Sequence, residues 1–147
     1  MEIKKVISDK KEFLELLLLA DEQESMVDRY LERGDMFVLY DNGLKAACVV
    51  TREGEGIYEI KNIATVPEYQ GKGYAKALID FIIEKYSGQY AVLQVGTGDS
   101  PLTIPFYEKC GFVRSHIIPN FFTDNYDHPI YEGGVQLVDM VYLQRKF

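Results

Sequence analysis

The chain has 147 residues and a formal net charge of -7, with 47% hydrophobic and 27% charged residues. This length and composition predict one soluble globular domain over residues 1–147, since two domains, each with its own hydrophobic core, would need a longer chain. The negative charge argues against a nucleic-acid partner, and the longest apolar stretch, Leu16 to Ala20, is far too short to cross a membrane.

The first half of the chain predicts two helices followed by three strands joined by tight turns. Ser8 is the predicted N-cap of the first helix, and Gly34 ends the second. Asn42-Gly43 lies between two apolar runs, which is the strongest short-range signal for a hairpin. The predicted elements are a strand over 1–7, helices over 8–20 and about 22–32, a hairpin over 35–54 and a strand over 57–66.

The second half predicts strands that alternate with helices. One helix runs to about Tyr86 with an apolar stripe on one face, and a shorter helix follows a Ser100 cap with Pro101 at its first position. This order predicts a mixed sheet with helices on both faces. The predicted elements are a strand over 90–95, a helix over about 101–109, a strand over 111–118, an aromatic loop over 119–134 and a closing strand over 135–145.

The sequence QGKGYA, residues 70–75, lies between the strand predicted over 57–66 and the helix that runs to about Tyr86. The first N–H groups of a helix lack intrahelical acceptors, and the helix dipole adds partial positive charge there. Gly71 and Gly73 carry no Cβ atoms that would block a close approach, and Lys72 adds a cation. The turn therefore predicts an anion site for a phosphate or diphosphate group.

Two well-known phosphate motifs do not match this turn. A P-loop requires Ser or Thr after its Gly-Lys pair, whereas here Gly73 follows Lys72. The dinucleotide fingerprint requires a third glycine where Lys76 stands. On these residues alone, a tight strand-to-helix connection without a ligand is an equal alternative.

A longer stretch, residues 62–86, resembles the central motif of the GCN5-related N-acetyltransferase (GNAT) family. The phosphate loop of that family places Gln or Arg, then Gly, then Gly or Ala at the positions of Gln70, Gly73 and Ala75. A second match, FYEKCGF at residues 106–112, is similar to the tyrosine-containing helix end of the family. The two motifs lie at the expected distance from each other, and together they are specific.

The resemblance covers residues 1–118 and implies an α/β (α+β) fold with a mixed, mostly antiparallel central sheet of about six to seven strands and helices on both faces.

It implies acetyl-CoA as co-substrate, without a metal. The glycine turn would hold the diphosphate, and a splayed strand edge would pair with the pantetheine arm. Ser100 stands where many relatives carry an asparagine that contacts this arm, and its alternative role is the helix cap. The implied cofactor-binding residues are Ile63, Ala64, Thr65, Val66, Gln70, Gly71, Lys72, Gly73, Tyr74, Ala75 and Ser100.

The resemblance also implies direct acetyl transfer to a primary amine in a ternary complex. Because an alkylammonium has a pKa of about 10.4, the acceptor must first lose a proton. Glu59 is the candidate base, and a solvated sheet face shared with Lys61 is the equal alternative. Tyr107 matches the tyrosine that protonates the leaving thiolate in many relatives, with ordinary aromatic packing as its alternative. A backbone N–H near Val66 would stabilise the oxyanion.

The predicted loop over 119–134 combines aromatic side chains with carboxylates. Such a combination binds ammonium groups, so one hypothesis is that this loop borders the acceptor pocket and favours a cationic amine. The alternative is a lid whose aromatic rings only pack on the sheet. The residues concerned are Phe121, Phe122, Tyr126 and Tyr131, together with Asp124, Asp127 and Glu132.

The remaining reactive side chains predict no metal site. His116 and His128 lack metal-ligand spacing, and neither Cys48 nor Cys110 belongs to a CxxC pair. We therefore expect both cysteines to be reduced packing residues. A cytoplasmic location is expected because the first residues contain no signal-peptide core.

These observations favour an N-acetyltransferase that acts on a small-molecule or protein amine, with neither nucleic acid nor membrane as partner. One alternative is a non-catalytic module that binds or senses acyl-CoA on the same fold. Another is an unrelated nucleotide-binding interaction domain. The sequence leaves the acceptor and the oligomeric state open, with a homodimer as one alternative.

Overall fold

The computed structural model describes residues 1–146 and contains a seven-stranded sheet in the order β1-β2-β3-β4-β5-β9-β6. All neighbouring strands are antiparallel except β4 and β5, which are parallel. The predicted mixed, mostly antiparallel sheet is therefore confirmed. The strands are β1 (Glu2–Val6), β2 (Asp35–Tyr40), β3 (Leu44–Gly54), β4 (Ile57–Thr65), β5 (Val92–Gly98), β6 (Val113–Ile118), β7 (Tyr131–Glu132), β8 (Val135–Gln136) and β9 (Met140–Lys146), of which β7 and β8 form a separate pair.

Helices cover both faces of this sheet. Short 3-10 helices at Lys10–Phe13 and Pro67–Tyr69 precede α1 and α3, respectively. Within residues 1–146 no helix is long and apolar enough to span a bilayer. The α-helices are α1 (Leu14–Leu17), α2 (Glu24–Val27), α3 (Tyr74–Lys85), α4 (Ile104–Lys109) and α5 (Phe121–Asn125).

Two cores form because successive residues of a strand point to opposite faces of the sheet. On β2, Met36 and Val38 pack against α1 and α2, whereas Phe37 and Leu39 pack on the side of α3 and α4. The predicted apolar stripe of α3 supplies the second core, and Leu78, Ile79 and Ile82 are its fully buried members.

The N-terminal helices are shorter than predicted. The first one begins as a 3-10 helix whose N-cap is Asp9, in a left-handed conformation, rather than Ser8. The Asp9 side chain forms no capping hydrogen bond. The second stops at Val27 as an α-helix and continues as hydrogen-bonded turns to Gly34. Lys10 holds the end of these turns in place, because its ammonium binds the carbonyls of Leu31 and Gly34.

The helix predicted over 101–109 begins only at Ile104. Its prolines explain this, since a proline fits only in the first turn of a helix and Pro105 would break one that began at Pro101. Ser100 instead stabilises the preceding turn, where its Oγ accepts the Leu102 N–H at 3.1 Å.

The C-terminal segment is more structured than the predicted loop and strand. Residues 119–134 contain α5 and β7, and the predicted strand over 135–145 is interrupted at residues 137–139. There Leu137 leaves the strand direction and packs on Phe122 and Ile130. Asp139 accepts the Asn120 N–H at 2.9 Å. These contacts join residues distant in sequence, so local patterns did not reveal them.

Lys10 fixes the connection that leads into β2. It is only 8% exposed, and its Nζ donates to the carbonyls of Leu31 (2.9 Å), Glu32 (3.2 Å) and Gly34 (2.7 Å). An ammonium has three donors, and all three are used here.

Replacing Lys10 with methionine should lower the free energy of unfolding by about 2 kcal/mol, because two buried carbonyls lose a charged donor. Urea unfolding followed by circular dichroism measures this loss. Lys11→Met is the matched control, since the Lys11 ion pairs with Glu24 and Asp28 lie at the surface and should contribute much less. Equal losses in the two variants would contradict the assigned role of Lys10.

Candidate active site

The candidate site is the gap that opens between β4 and β5. The two strands pair only from Ile57 with Val92 to Ile60 with Val95. Beyond that point β4 stays paired with β3 as far as Thr65, and β5 stays paired with β9 as far as Gly98. A register shift between β3 and β4 leaves Lys61, the residue after the last β4–β5 pair, in a bulge, which bends and twists a strand. The bulge therefore directs β4 away from β5.

The edge of β4 that faces this gap presents unpaired backbone groups. The Val66 N–H donates to the Lys45 carbonyl at 2.8 Å, so it points toward β3. Because backbone groups alternate in direction along a strand, those of Thr65 and Ile63 point into the gap. Gln70 confirms this direction for Thr65, whose carbonyl accepts the Gln70 Nε2–H at 3.3 Å. The N–H groups open to a ligand are thus those of Ile63 and Thr65 rather than that of Val66.

The glycine turn lies at the end of this edge and has an open face. Gly71 and Gly73 have φ values of +77° and +89°, and no atom lies within 4 Å of the position that a Cβ would take at either. Gly73 occupies the N-cap of α3, whose first N–H groups have no intrahelical acceptor. A ligand can therefore approach these amides closely.

A cavity of about 370 Å³, the glycine-loop cavity, joins the strand edge to this turn. Val66 packs in the core under α1 and α2, Lys72 extends into solvent with its Nζ 5.5 Å from the Tyr69 ring centroid, and Ser100 is buried. These three predicted residues do not line the cavity. The predicted residues that do line it are Ile63, Ala64, Thr65, Gln70, Gly71, Gly73, Tyr74 and Ala75.

A second cavity, the acidic cavity, has a volume of about 280 Å³ and lies on the other side of the gap. Its lining includes the carboxylates of Asp21, Glu22 and Glu132. Burial raises the pKa of Glu132. The aromatic segment does border this cavity, through Phe122, Tyr126 and Tyr131 together with Glu132. Asp124 and Asp127 do not line it.

Sequence reasoning missed Asp21 and Glu22, which connect the loop after α1 to the aromatic segment. The hydroxyl groups of Tyr30 and Tyr126 donate to Asp21 at 2.9 and 2.5 Å. Burial raises the pKa of Asp21, and these hydrogen bonds offset the shift only in part. Glu22 contacts His128 Nε2 at 2.9 Å. Two adjacent carboxylates in a loop gave no local signal, because the partners that tie them to the aromatic segment, Tyr126 and His128, are 105 and 106 residues away.

Tyr107 lies where the two cavities meet and lines both of them. Its ring packs edge-on against Phe106 and Phe112, as its position in FYEKCGF suggested. Burial raises the pKa of Tyr107 well above its usual range. The phenol therefore stays protonated near neutral pH and has a proton to donate.

Glu59 is 4% exposed, and its carboxylate is fully engaged. Gln94 Nε2 donates to its Oε1 at 2.7 Å, and Tyr142 Oη donates to its Oε2 at 3.0 Å. Lys61 Nζ lies 2.9 Å from the same Oε2. Glu59 lines a smaller neighbouring cavity of about 140 Å³ rather than the acidic cavity. Lys61 lines both cavities, so it connects Glu59 to the acidic cavity.

The histidines and cysteines lie outside these cavities. His116 stacks on the Tyr142 ring with centroids 4.8 Å apart, and His128 is held by Asp127 and Glu22. Among residues 1–146 no cluster of potential metal ligands occurs. Cys48 and Cys110 are free thiols, the first fully buried.

Comparison with known proteins links this geometry to one family. A model of the acetyltransferase (GNAT) domain matches residues 32–114. The chain is 38% identical over 135 residues to the uncharacterized N-acetyltransferase YvbK of Bacillus subtilis (strain 168), covering 90% of this chain and 87% of that protein.

Solved structures agree over the whole fold. A GNAT family acetyltransferase from Elizabethkingia anophelis with acetyl-CoA bound is 33% identical, with a TM-score of 0.93 over 99% of this chain and 97% of that one. A Bacillus subtilis acetyltransferase in complex with CoA is 35% identical, with a TM-score of 0.91 over 99% of this chain and 98% of that one.

Proposed function

This chain belongs to the GNAT acetyltransferase family, and we propose that it transfers the acetyl group of acetyl-CoA directly to a primary amine in a ternary complex. The observation that carries the proposal is the meeting of two unlike cavities at Tyr107. One offers open amides of a strand edge and a helix start, which suit amides and a diphosphate. The other offers carboxylates, which suit an ammonium group.

The glycine-loop cavity fits acetyl-CoA, which supplies an acyl group already activated as a thioester. The N–H groups of residues 71–75 would bind the diphosphate, because Gly71 and Gly73 leave their face open. The backbone groups of Ile63 and Thr65 would pair with the amides of the pantetheine arm. These contacts would bring the acyl end near Tyr107, which lines both cavities.

Tyr107 would protonate the departing thiolate, and its phenolate would take up the second proton that the attacking nitrogen loses as the amide forms. Its raised pKa keeps the proton on the phenol at neutral pH, and its ring is held by packing on both sides. The acceptor must give up a proton before it attacks, and we assign this step to Glu59 acting through a water molecule. The water is required because the Glu59 carboxylate does not itself line the acidic cavity.

The proposal is tested by following free-thiol release from acetyl-CoA with a panel of primary amines. At least one amine class should give turnover well above the hydrolysis seen without acceptor, and the product should be an amide by mass spectrometry. Tight CoA binding without turnover on any amine would instead favour a non-catalytic acyl-CoA-binding module.

Substitution of Gly73 by alanine should weaken CoA binding by about tenfold, because the added methyl group occupies the face that the diphosphate approaches. Isothermal titration with CoA measures the change. Gly88→Ala is the matched control, since Gly88 has a φ of +83° and an equally open Cβ position but lies beyond the far end of α3. Both variants carry similar backbone strain, so equal affinities would overturn the assigned binding face.

Replacing Tyr107 with phenylalanine should lower kcat by roughly 100-fold while the KM for acetyl-CoA changes little, because packing is kept and only the proton donor is lost. Steady-state kinetics across pH give a second reading. The wild-type rate should show no loss from tyrosine ionisation up to at least about pH 10, since burial raises the Tyr107 pKa above its ordinary value. A variant with unchanged kcat would remove Tyr107 from the reaction.

A further inference from the structure

The carboxylates that line the acidic cavity already have partners within the protein. Two tyrosine hydroxyls donate to Asp21, and His128 Nε2 lies 2.9 Å from Glu22. Glu132 has the Ser100 hydroxyl as its partner. The protein itself therefore holds these ionic groups, and they do not decide what the rest of an acceptor molecule would contact.

The far side of the cavity is formed by a small apolar cluster of the C-terminal segment. Five of its side chains line the acidic cavity, and none of them lines the glycine-loop cavity. This apolar wall therefore lies on the side of the acceptor cavity that is remote from the transfer point. Its members are Phe122, Tyr126, Ile130, Leu137 and Met140.

Two glycines of β5 bring the apolar wall into close contact with the sheet. A Cβ atom on Gly96 would lie 2.5 Å from Met140 Sδ, and one on Gly98 would lie 2.6 Å from Leu137 Cδ1. Only glycine allows side chains to lie this close to the strand backbone. Both glycines line the same cavity, so the wall and the strand together give it a closely packed apolar floor.

The rim of the cavity is apolar although it lies in water. Tyr131 is 59% exposed and lines the acidic cavity alone, whereas Leu19 is 54% exposed and lines both cavities. Large apolar side chains that stay exposed beside a cavity are typical of binding sites. A ligand with an apolar part would remove this surface from water when it binds.

We infer that the acceptor is a primary amine with an apolar chain or ring, which contacts the apolar wall and Tyr131 while its amine reaches the acetyl group near Tyr107. This inference rests on the proposed acetyl transfer and narrows its substrate class. Ile63 and Tyr107 line both cavities and the wall lines only one, so the molecule would extend from the transfer point toward the wall. A polar far end would lose water there and meet mainly hydrocarbon and thioether groups.

The test compares hexylamine with 2-(2-aminoethoxy)ethanol, which have the same number of non-hydrogen atoms and differ in two chain positions that carry oxygen. In wild type, kcat/KM should be at least about tenfold higher for hexylamine, because each buried CH₂ or CH₃ group favours binding. The ether oxygen lowers the pKa of the polar amine and raises its neutral fraction. Amine basicity would therefore act against the expected preference and cannot produce it.

Variants of Tyr131 locate the contact. Tyr131→Ser should lower the ratio of the two kcat/KM values by about threefold, and Tyr131→Phe should keep it, since the ring rather than the hydroxyl contacts the apolar chain. Val135→Ser is the matched control and should keep the wild-type ratio. Val135 lies on the same hairpin of β7 and β8, is 57% exposed and lines neither cavity. Circular dichroism melting verifies that the variants fold.

Calorimetric titration of both amines into the CoA complex separates this inference from the proposed function. Tighter binding of hexylamine that weakens in Tyr131→Ser, even without turnover, would support the apolar site and count against acetyl transfer to this amine. Turnover of both amines with equal kcat/KM in wild type would overturn the apolar site and leave acetyl transfer standing. A dimer in light scattering that Tyr131→Ser converts to a monomer would assign the rim to a second copy of the chain and would also overturn it.

Discussion

The divergence of β4 from β5 is the constraint on which the site depends. Each strand is held by its other neighbour, β4 by β3 and β5 by β9, so the two cannot close again beyond Ile60 and Val95. The bulge at Lys61 begins the divergence at the residue after the last pair. The separation leaves backbone amides without partners in the middle of a sheet, which is costly unless a ligand or side chain binds them. Gln70 satisfies one of these groups, and the others remain open to a ligand.

The gap separates two chemical environments. On one side, a helix start and two left-handed glycines leave backbone donors open. On the other side, three carboxylates and several aromatic rings line the acidic cavity. Tyr107 belongs to both linings, and its packing against Phe106 and Phe112 fixes its ring where the two cavities meet.

The wall of the acidic cavity is built from segments that are far apart in the chain. The loop after α1 and the aromatic segment hold each other through Asp21 with Tyr126 and through Glu22 with His128. Asn62, on β4, donates to the carbonyl of Leu17, the last residue of α1. The aromatic segment lines the acidic cavity and does not line the glycine-loop cavity, so changes in this segment would alter the first cavity and leave the glycine turn unchanged.

The sequence by itself determined the order of most strands, the hairpin at Asn42-Gly43, the apolar face of α3 and the glycine turn, because each depends on residues close together in the chain. The family motifs also indicated Tyr107 as a candidate site residue, and the structure shows that it lines both cavities. Only the tertiary structure decided how the chain continues after the second helix, since Lys10, which precedes α1, binds the carbonyls of Leu31 and Gly34. It also decided which carboxylates line the acidic cavity. Asp124 and Asp127 have the expected aromatic neighbours in sequence, but the direction of α5 and the contacts of Tyr126 bring Asp21 into the cavity instead.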